Sequence, residues 1–383
     1  RFPMKIQKNV RSLFKLNTIG EVKRDIYNID SKEKVIEIIE KIPFFLKILS
    51  STKYKNLYKF SISGDIKKEI PLVNSVFALK IISMLNLQVD KKNIIKHILQ
   101  FQNKSGKFND NSFSLSLEFY KMYETLKVFP KKSKFKNLLE GAHTRQTYAA
   151  LIQSGFHPKN ILNYDLKTKE QTFNFLNSLD WKNPWSAGSH FSHHIFFLNL
   201  SKIKNKSSNL NDYLINYSFE VLQKQYHLES GFWGLEEDIS NTEKINGAMK
   251  IFTALDICKK EIDTSYKSII DCCLKKAYAS RHACDDFNFL FVLYKSSLKT
   301  KYRIDEIQKF ALNFLKNISK YYWPNLGGFS FYVNSAQHSF MGSRITAGYP
   351  EPDLHGTLMM LWAISIASKI NNWDDINLNY SFI

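Results

Sequence analysis

The densest gathering of reactive side chains is "SRHACDDFN", Ser280 to Asn288, which brings together Arg281, His282, Cys284, Asp285 and Asp286 ahead of an apolar run. Asp285 and Asp286 have two readings: caps at the electropositive start of a helix, or a carboxylic acid or metal ligand facing a cavity. In "GYPEPDLHGT", Gly348 to Thr357, Asp353 and His355 follow a loop stiffened by proline. An acid beside an imidazole can act as a general acid–base pair; Asp353 as a plain N-cap is the structural alternative. "GAHTRQTY" adds His143, Arg145 and Tyr148. A uronate lyase needs those types: a cation to neutralise the carboxylate, then groups to remove and supply a proton. "WKNPWSAGSHFSHHIFF" contributes Trp185, His190, His193 and His194, with His190 and His194 on one helical face. No glutamate completes an H-E-x-x-H zinc motif there, and the other reading is histidines satisfied within the core.

The net charge is +19, and lysine supplies 47 of the 54 basic residues. The lysines are spread along the chain instead of forming a basic block, so specific nucleic-acid recognition is not expected. The surplus still attracts an anionic substrate through its long-range field. Arginine is scarce, at seven residues, and Arg145, Arg281 and Arg344 lie within the most unusual local sequences. An arginine kept against a lysine bias suits a planar, bidentate anion clamp; ordinary surface or capping arginines are the alternative.

Two kinds of helical segment must position these groups. "SKEKVIEIIEKIPFFLKILS", "KKNIIKHILQFQ", "KEQTFNFLNSL", "LNDYLINYSFEVLQKQ", "YKSIIDCCLKKAYA" and "IDEIQKFALNFLKNISKYY" are amphipathic at helical spacing. They alternate with oilier stretches: "VNSVFALKIISML", "TRQTYAALIQSG", "SHHIFFLNL", "INGAMKIFTALDI", "DDFNFLFVLY" and "DLHGTLMMLWAISIA". Helices apolar on most sides must be covered on most sides. The spacing therefore predicts six inner helices enclosed by six amphipathic ones, an all-α (α/α)6 toroid over residues 31–372. An N-terminal extension (1–30) and a C-terminal tail (373–383) flank it. "SFSLSLEFYKMYETLKVF" (112–129) is one helix beyond that count. All inner helices would start at one end, and their N-termini there favour an anion.

Three short glycine-aromatic turns precede oily helices: "NKSGKF", "HLESGFWG" and "NLGGFSFY". They resemble the repeats of the terpenoid cyclase and protein prenyltransferase superfamily, which read approximately as Q-x-x-x-G-G-F/W-G before an inner helix. Gln102 with Gly106 and Phe108, and Gln223 with Gly231, Phe232, Trp233 and Gly234, are degenerate copies; Gly327-Gly328-Phe329 is the closest. The likeness runs in weakened form from about residue 60 to 368. It implies the toroid and isoprenoid chemistry on a diphosphate substrate, with Arg and helix N-termini holding the diphosphate. Asp285 or Asp286 would supply acid or bind metal, although Ala283-Cys284-Asp285-Asp286 lacks the first acid of the cyclase D-x-D-D motif. It also implies a divalent metal, zinc or magnesium, with Cys284, Asp285 and His355 as the candidate set.

The rim aromatics Trp233, Trp323, Phe329 and Tyr332, with Asn246 at an inner-helix start, would contact substrate by stacking on sugar or shielding an isoprenoid and its carbocation. An acidic polysaccharide, cleaved or epimerised at the same mouth, is the competing substrate, and a non-catalytic toroid binding glycan or peptide the third reading. No apolar run reaches the ~18 residues of a membrane span. The opening residues lack the apolar stretch of a secretory signal. The four cysteines show no paired zinc spacing. Reduced thiols in a cytoplasmic protein are expected.

Overall fold

The computed structural model describes residues 27–64, 70–110, 132–158, 160–204, 209–234, 239–275, 282–340, 343–376 and 378–379. Among these the protein is all-α, with only two-residue strands. The six oilier stretches form α2 (Leu72–Met84), α4 (Lys132–Gln153), α6 (Pro184–Lys204), α8 (Asn241–Cys258), α10 (Ala283–Ser297) and α12 (Leu354–Ile370). The six amphipathic stretches form α1 (Lys32–Leu49), α3 (Lys92–Leu99), α5 (Lys169–Asn177), α7 (Asn209–Gln223), α9 (Tyr266–Leu274) and α11 (Ile304–Ile318). The extra helix expected over 112–129 lies outside the described residues.

Burial separates the two sets as their sequences predict. Every residue of α2 is buried, and every residue of α12 except Lys369. In α3 only Ile94 and Ile98 are buried, and in α11 one apolar stripe is: Ile307, Ala311, Phe314, Leu315 and Ile318. Each fully covered Leu or Ile contributes about 1.5–3 kcal/mol of transfer free energy, so the oily helices seek cover on all sides. Helix α2 packs on α4, α4 on α6, α6 on α8, α8 on α10, α10 on α12, and α12 returns to α2. Outside that circuit α3 covers α2, α7 covers α6, α9 covers α10 and α11 covers α12, while α5 packs on α7. The buried hydrophobic side chains form one cluster from Ile29 to Leu378. Neither flank is therefore a loose appendage where it is described: Ile29 is buried, and the Asn379 N–H donates to the Met84 carbonyl.

The three glycine-aromatic turns are equivalent in space. Each closes an antiparallel pairing: Gln102 with Phe108, β1 (Tyr226–His227) with β2 (Phe232–Trp233), and β3 (Tyr322–Trp323) with β4 (Gly328–Phe329). The Phe108 N–H donates to Thr144 Oγ1 at 3.0 Å in α4, and the Phe329 N–H donates to Thr357 Oγ1 at 3.0 Å in α12. One bond thus recurs at two points of the repeat. Gly327 turns at φ +72°, and a Cβ there would come within 2.6 Å of the Lys41 carbonyl oxygen, so only glycine fits. Small residues also let helices crowd: a Cβ on Gly247 of α8 would lie 2.7 Å from Pro184 of α6.

A long connection joins α11 to α12. Within it, β5 (Ser339–Phe340) pairs with β6 (Ser343–Arg344). The Phe331 carbonyl accepts from the Ala283 N–H at 2.9 Å, tying this connection to the first turn of α10.

Candidate functional site

The early turns of α2, α6, α8, α10 and α12 and the middle of α4 meet, as pairs of contacts show. The Asn246 amide donates to Asp285 Oδ1 at 3.2 Å, and Asn288 donates to Asn246 Oδ1 at 2.9 Å, joining α8 to α10. Cys284 Sγ of α10 lies 3.9 Å from His355 Nε2 of α12. The His355 ring stacks on Phe77 of α2 at 4.6 Å and on Phe331 at 4.7 Å. Phe331 also stacks on His282 at 5.1 Å, and Phe340 faces His143 of α4 at 6.2 Å. Trp185 at the start of α6 approaches His282 at 6.4 Å. An aromatic belt therefore crosses this end of the helices, with the connection before α12 supplying Phe331 and Phe340.

The carboxylates at this end are engaged in structure. Asp353 is the N-cap of α12: its Oδ1 accepts from the Gly356 N–H at 2.8 Å, and its Oδ2 from Phe331 at 2.8 Å and Gln337 at 3.0 Å. Burial pushes its carboxyl up to about 7, and these backbone N–H groups oppose the rise. Asp110 accepts from the Leu72 N–H at 2.7 Å at the start of α2, and Glu243 from the Trp185 N–H at 3.0 Å at the start of α6. Asp285 takes the Asn246 amide and faces His282 at 3.7 Å; Asp286 faces Lys320 at 3.7 Å. The N-termini expected to receive a diphosphate are thus already answered at α2, α6 and α12.

Cations lie deeper. Lys80 is buried in α2, Arg145 is buried in α4, and Lys250 is half-buried in α8. Lys80, Lys250 and His193 stand eight or nine positions into their helices, roughly 12–13 Å from the start at 1.5 Å per residue. Lys80 donates to Gln146 Oε1 and lies over the Trp362 ring at 5.4 Å; Arg145 lies over Phe196 at 5.7 Å. Among the described residues no carboxylate pairs with any of these three cations, and Arg145 Nε is buried with no hydrogen-bond acceptor. Burial, with the charges of Arg145 and Lys250, pulls Lys80 down to about 7. Burial and Arg145 pull Lys250 down to about 8, and burial alone pulls Arg145 to about 10. Burial, then Arg145, His190 and Lys250, hold His193 well below its usual range. Isolated buried cations are costly, and an arrangement that concentrates them is one that an anion would relieve.

Several expected site residues belong elsewhere. His194 lies between α6 and α7, with Nδ1 2.8 Å from the Tyr164 hydroxyl and Nε2 3.1 Å from Ser218 Oγ, so both ring nitrogens are satisfied away from the mouth. The Tyr148 hydroxyl donates to the Gly106 and Asn160 carbonyls at 2.8 and 3.0 Å and receives the Gln102 amide at 3.1 Å. It fastens the first turn. Trp233 and Phe329 are buried in their turns, Trp233 against Tyr226 and Phe252 and Phe329 against Tyr322; Trp323 is buried in β3. Arg344 is exposed, its Nε donating to the Thr346 carbonyl at 3.4 Å. Arg281 lies outside the described residues.

His143, Trp185, Tyr332, Asn246, Asp285 and His355 do gather at this end of the helices, whereas Arg145 lies over Phe196 with the deeper cations and His190 is half-buried in α6. Burial lowers His143 to about 4 and His190 below its usual value; burial, with His282, Lys80 and Lys250, lowers His355 to about 3. These imidazoles are neutral at pH 7.

The set Cys284, Asp285 and His355 does not fit a zinc or magnesium site. Among the described residues no three His, Cys, Asp or Glu converge to hold a metal ion. Burial raises the Cys284 thiol to about 12, and Lys250 adds positive charge beside it. A bare divalent cation is repelled by such neighbours.

Lys80, Lys250, Gln146, Gln337, Phe77, Phe331 and Phe340 were not selected from the sequence. A single lysine inside "NSVFALKIISM" and inside "INGAMKIF" was the legible signal, because each interrupts an otherwise apolar helix. No protein-family model matches the chain, and no curated protein matches it.

Proposed function

We propose that the closed circuit of oily helices is the inner ring of an (α/α)6 toroid spanning about residues 31–372, and that its basin binds the anionic part of a substrate. The trio Lys80, Arg145 and Lys250, which meets no carboxylate among the described residues, carries this reading. Resemblance to the terpenoid cyclase and prenyltransferase repeats makes an isoprenoid diphosphate the first candidate. The three cations take the diphosphate, Phe77, Phe331, Phe340 and Trp362 accommodate the chain, and a developing carbocation is stabilised by aromatic faces. Ionisation or transfer of the diphosphate suits this arrangement better than proton-initiated cyclisation. Asp285, Asp286 and Asp353 already serve Asn246, Lys320 and backbone amides.

A second reading rests on the neutral imidazoles. Burial keeps His143 and His355 unprotonated, and His355 lies within reach of the charges of Lys80 and Lys250, which is the pairing of proton acceptor and carboxylate clamp that a lyase of acidic polysaccharide requires. All four cysteines are thiols, outside any disulfide. Among the described residues no helix is long and apolar enough to cross a membrane.

Calorimetric titration with inorganic pyrophosphate, farnesyl diphosphate and a galacturonate oligomer tests the proposal. Farnesyl diphosphate binding more tightly than pyrophosphate, with both weakened in Lys80→Met and Lys250→Met, is expected. Preference for the galacturonate, with release of an unsaturated product, selects the lyase reading. Anion binding that ignores both substitutions overturns the site.

A further inference from the structure

The mouth holds a second constellation that anion binding does not use. Cys284 stands in the first turn of α10, its Sγ 3.9 Å from His355 Nε2. The opposite nitrogen of that imidazole, Nδ1, lies 2.8 Å from Gln337 Oε1. An amide oxygen is an acceptor, so Nδ1 carries the proton and Nε2 presents its lone pair to the thiol. We propose that Cys284, His355 and Gln337 act as nucleophile, base and orienting group in acyl transfer from an ester, thioester or amide that carries a carboxylate or phosphate. This rests on the basin being an anion site, and not on an isoprenoid as its occupant.

The pieces are held as a catalytic set must be. Phe77 and Phe331 sandwich the His355 ring at 4.6 and 4.7 Å, fixing its plane. Gln337 is buried; its backbone N–H donates to Asp353 Oδ2 at 3.0 Å, and its carbonyl accepts from Thr346 Oγ1 at 2.7 Å. Asp353 caps the helix that carries His355, so one carboxylate positions both the base and its orienting group. The Ala283 N–H bond to the Phe331 carbonyl sets α10, and with it Cys284, against the same segment. Cys273 shows the structural alternative, a thiol fully buried among apolar neighbours. Cys284 instead keeps some accessible surface, as Cys258 and Cys272 do, and faces an imidazole nitrogen.

Charge acts on the pair in both directions: Lys250 favours the thiolate, whereas Asp285 and Asp353 oppose it and burial, with His282, Lys80 and Lys250, opposes protonation of His355. Burial holds Cys284 as a thiol, so the resting pair is neutral and His355 must remove the proton during attack. Lys250 and the start of α10 stabilise the thiolate as it forms. In the first half-reaction the Sγ–C bond forms, the C–X bond breaks, and the thiol proton passes through His355 Nε2 to the leaving group. Water then attacks the thioester carbonyl, His355 takes its proton, the C–S bond breaks, and the thiol is regenerated. The cations set the substrate class, because an acyl compound bearing an anion is drawn to Lys250, which acts on the thiol, and to Lys80 and Arg145, whose charges reach Lys250 or each other.

Alkylation of the full chain by iodoacetate and iodoacetamide, read by peptide mass spectrometry, tests reactivity and steering. Cys284 should react before Cys258, Cys272 and Cys273, and faster with iodoacetate, the reverse of an ordinary thiol. Pyrophosphate should protect it, and His355→Gln should slow it at least about tenfold. Mono-4-nitrophenyl succinate should then release a burst of one equivalent of nitrophenol followed by turnover, with a succinyl group on Cys284 when the reaction is stopped in acid during the burst, and neither in Cys284→Ser, whose folding a thermal melt checks. Pyrophosphate binding with an inert Cys284 overturns the proposal and leaves the anion site standing. A reactive thiol that prefers iodoacetamide, or leaves no succinyl adduct, overturns the acyl-transfer assignment.

Discussion

Asp353 caps the start of α12, Lys250 lies nine positions into α8, and the two are treated in opposite ways. Asp353 accepts three backbone N–H groups from the α12 start and the preceding connection. Lys250, with Lys80 and Arg145, meets no carboxylate among the described residues. The acid half of the mouth has its polar capacity spent on holding helices and loop in place. The cationic half keeps its capacity in reserve. Density of reactive residue types marked the first half in the sequence, yet unsatisfied charge marks the second as the place where a ligand has something to gain.

The contrast can be broken at its structural side first. Asp353→Ala strands buried donors at Gly356, Phe331 and Gln337 together, and should cost about 3–5 kcal/mol of stability or prevent folding. Urea unfolding measures it, and a loss within about 1 kcal/mol means the cap is dispensable. On the cationic side the sign reverses. Lys250→Met removes an uncompensated charge and should stabilise the ligand-free protein by about 1–3 kcal/mol, while pyrophosphate affinity falls at least about tenfold. A destabilised Lys250→Met with full affinity contradicts the comparison.

A pH series sharpens it further. The folded-state values of Lys80 and Lys250, about 7 and about 8, lie below the ordinary 10.5. Between those values the unfolded chain binds more protons than the folded one, so ligand-free stability rises with pH across this window. It falls as pH drops through 8 and then 7, and the penalty of charging both lysines is complete only below about 7. Pyrophosphate should raise the melting temperature most near pH 7 and least near pH 10; an equal rise at both would detach the lysines from the site. Tyr148→Phe, which loses only the turn-fastening hydroxyl, should cost about 1–2 kcal/mol and leave pyrophosphate affinity unchanged. The smallest effect belongs to Arg344→Gln at the exposed β6 position, with neither melting temperature nor affinity measurably moved.

The alternation of amphipathic and oily segments was legible because a helix covered on all sides must be apolar on all sides. α2 and α12 declare this in sequence, and α3 and α11 declare the opposite. The three turns were equally legible, since Gly106, Gly231 and Gly327 adopt positive φ that other residues reach only under strain. The division of labour among the polar residues was not. "SRHACDDFN" and "GYPEPDLHG" contain acids whose partners, Asn246, Lys320, Phe331 and Gln337, come from other segments. His190 and His194 share a helical face by spacing, but neighbours decide their roles, and Tyr164 and Ser218 claim His194 for the helix interface. Local chemistry and periodicity thus fixed which segments are helices and how deeply each is covered. Whether a charge is answered or left waiting depends on side chains brought together across the fold, and only the tertiary structure decides it.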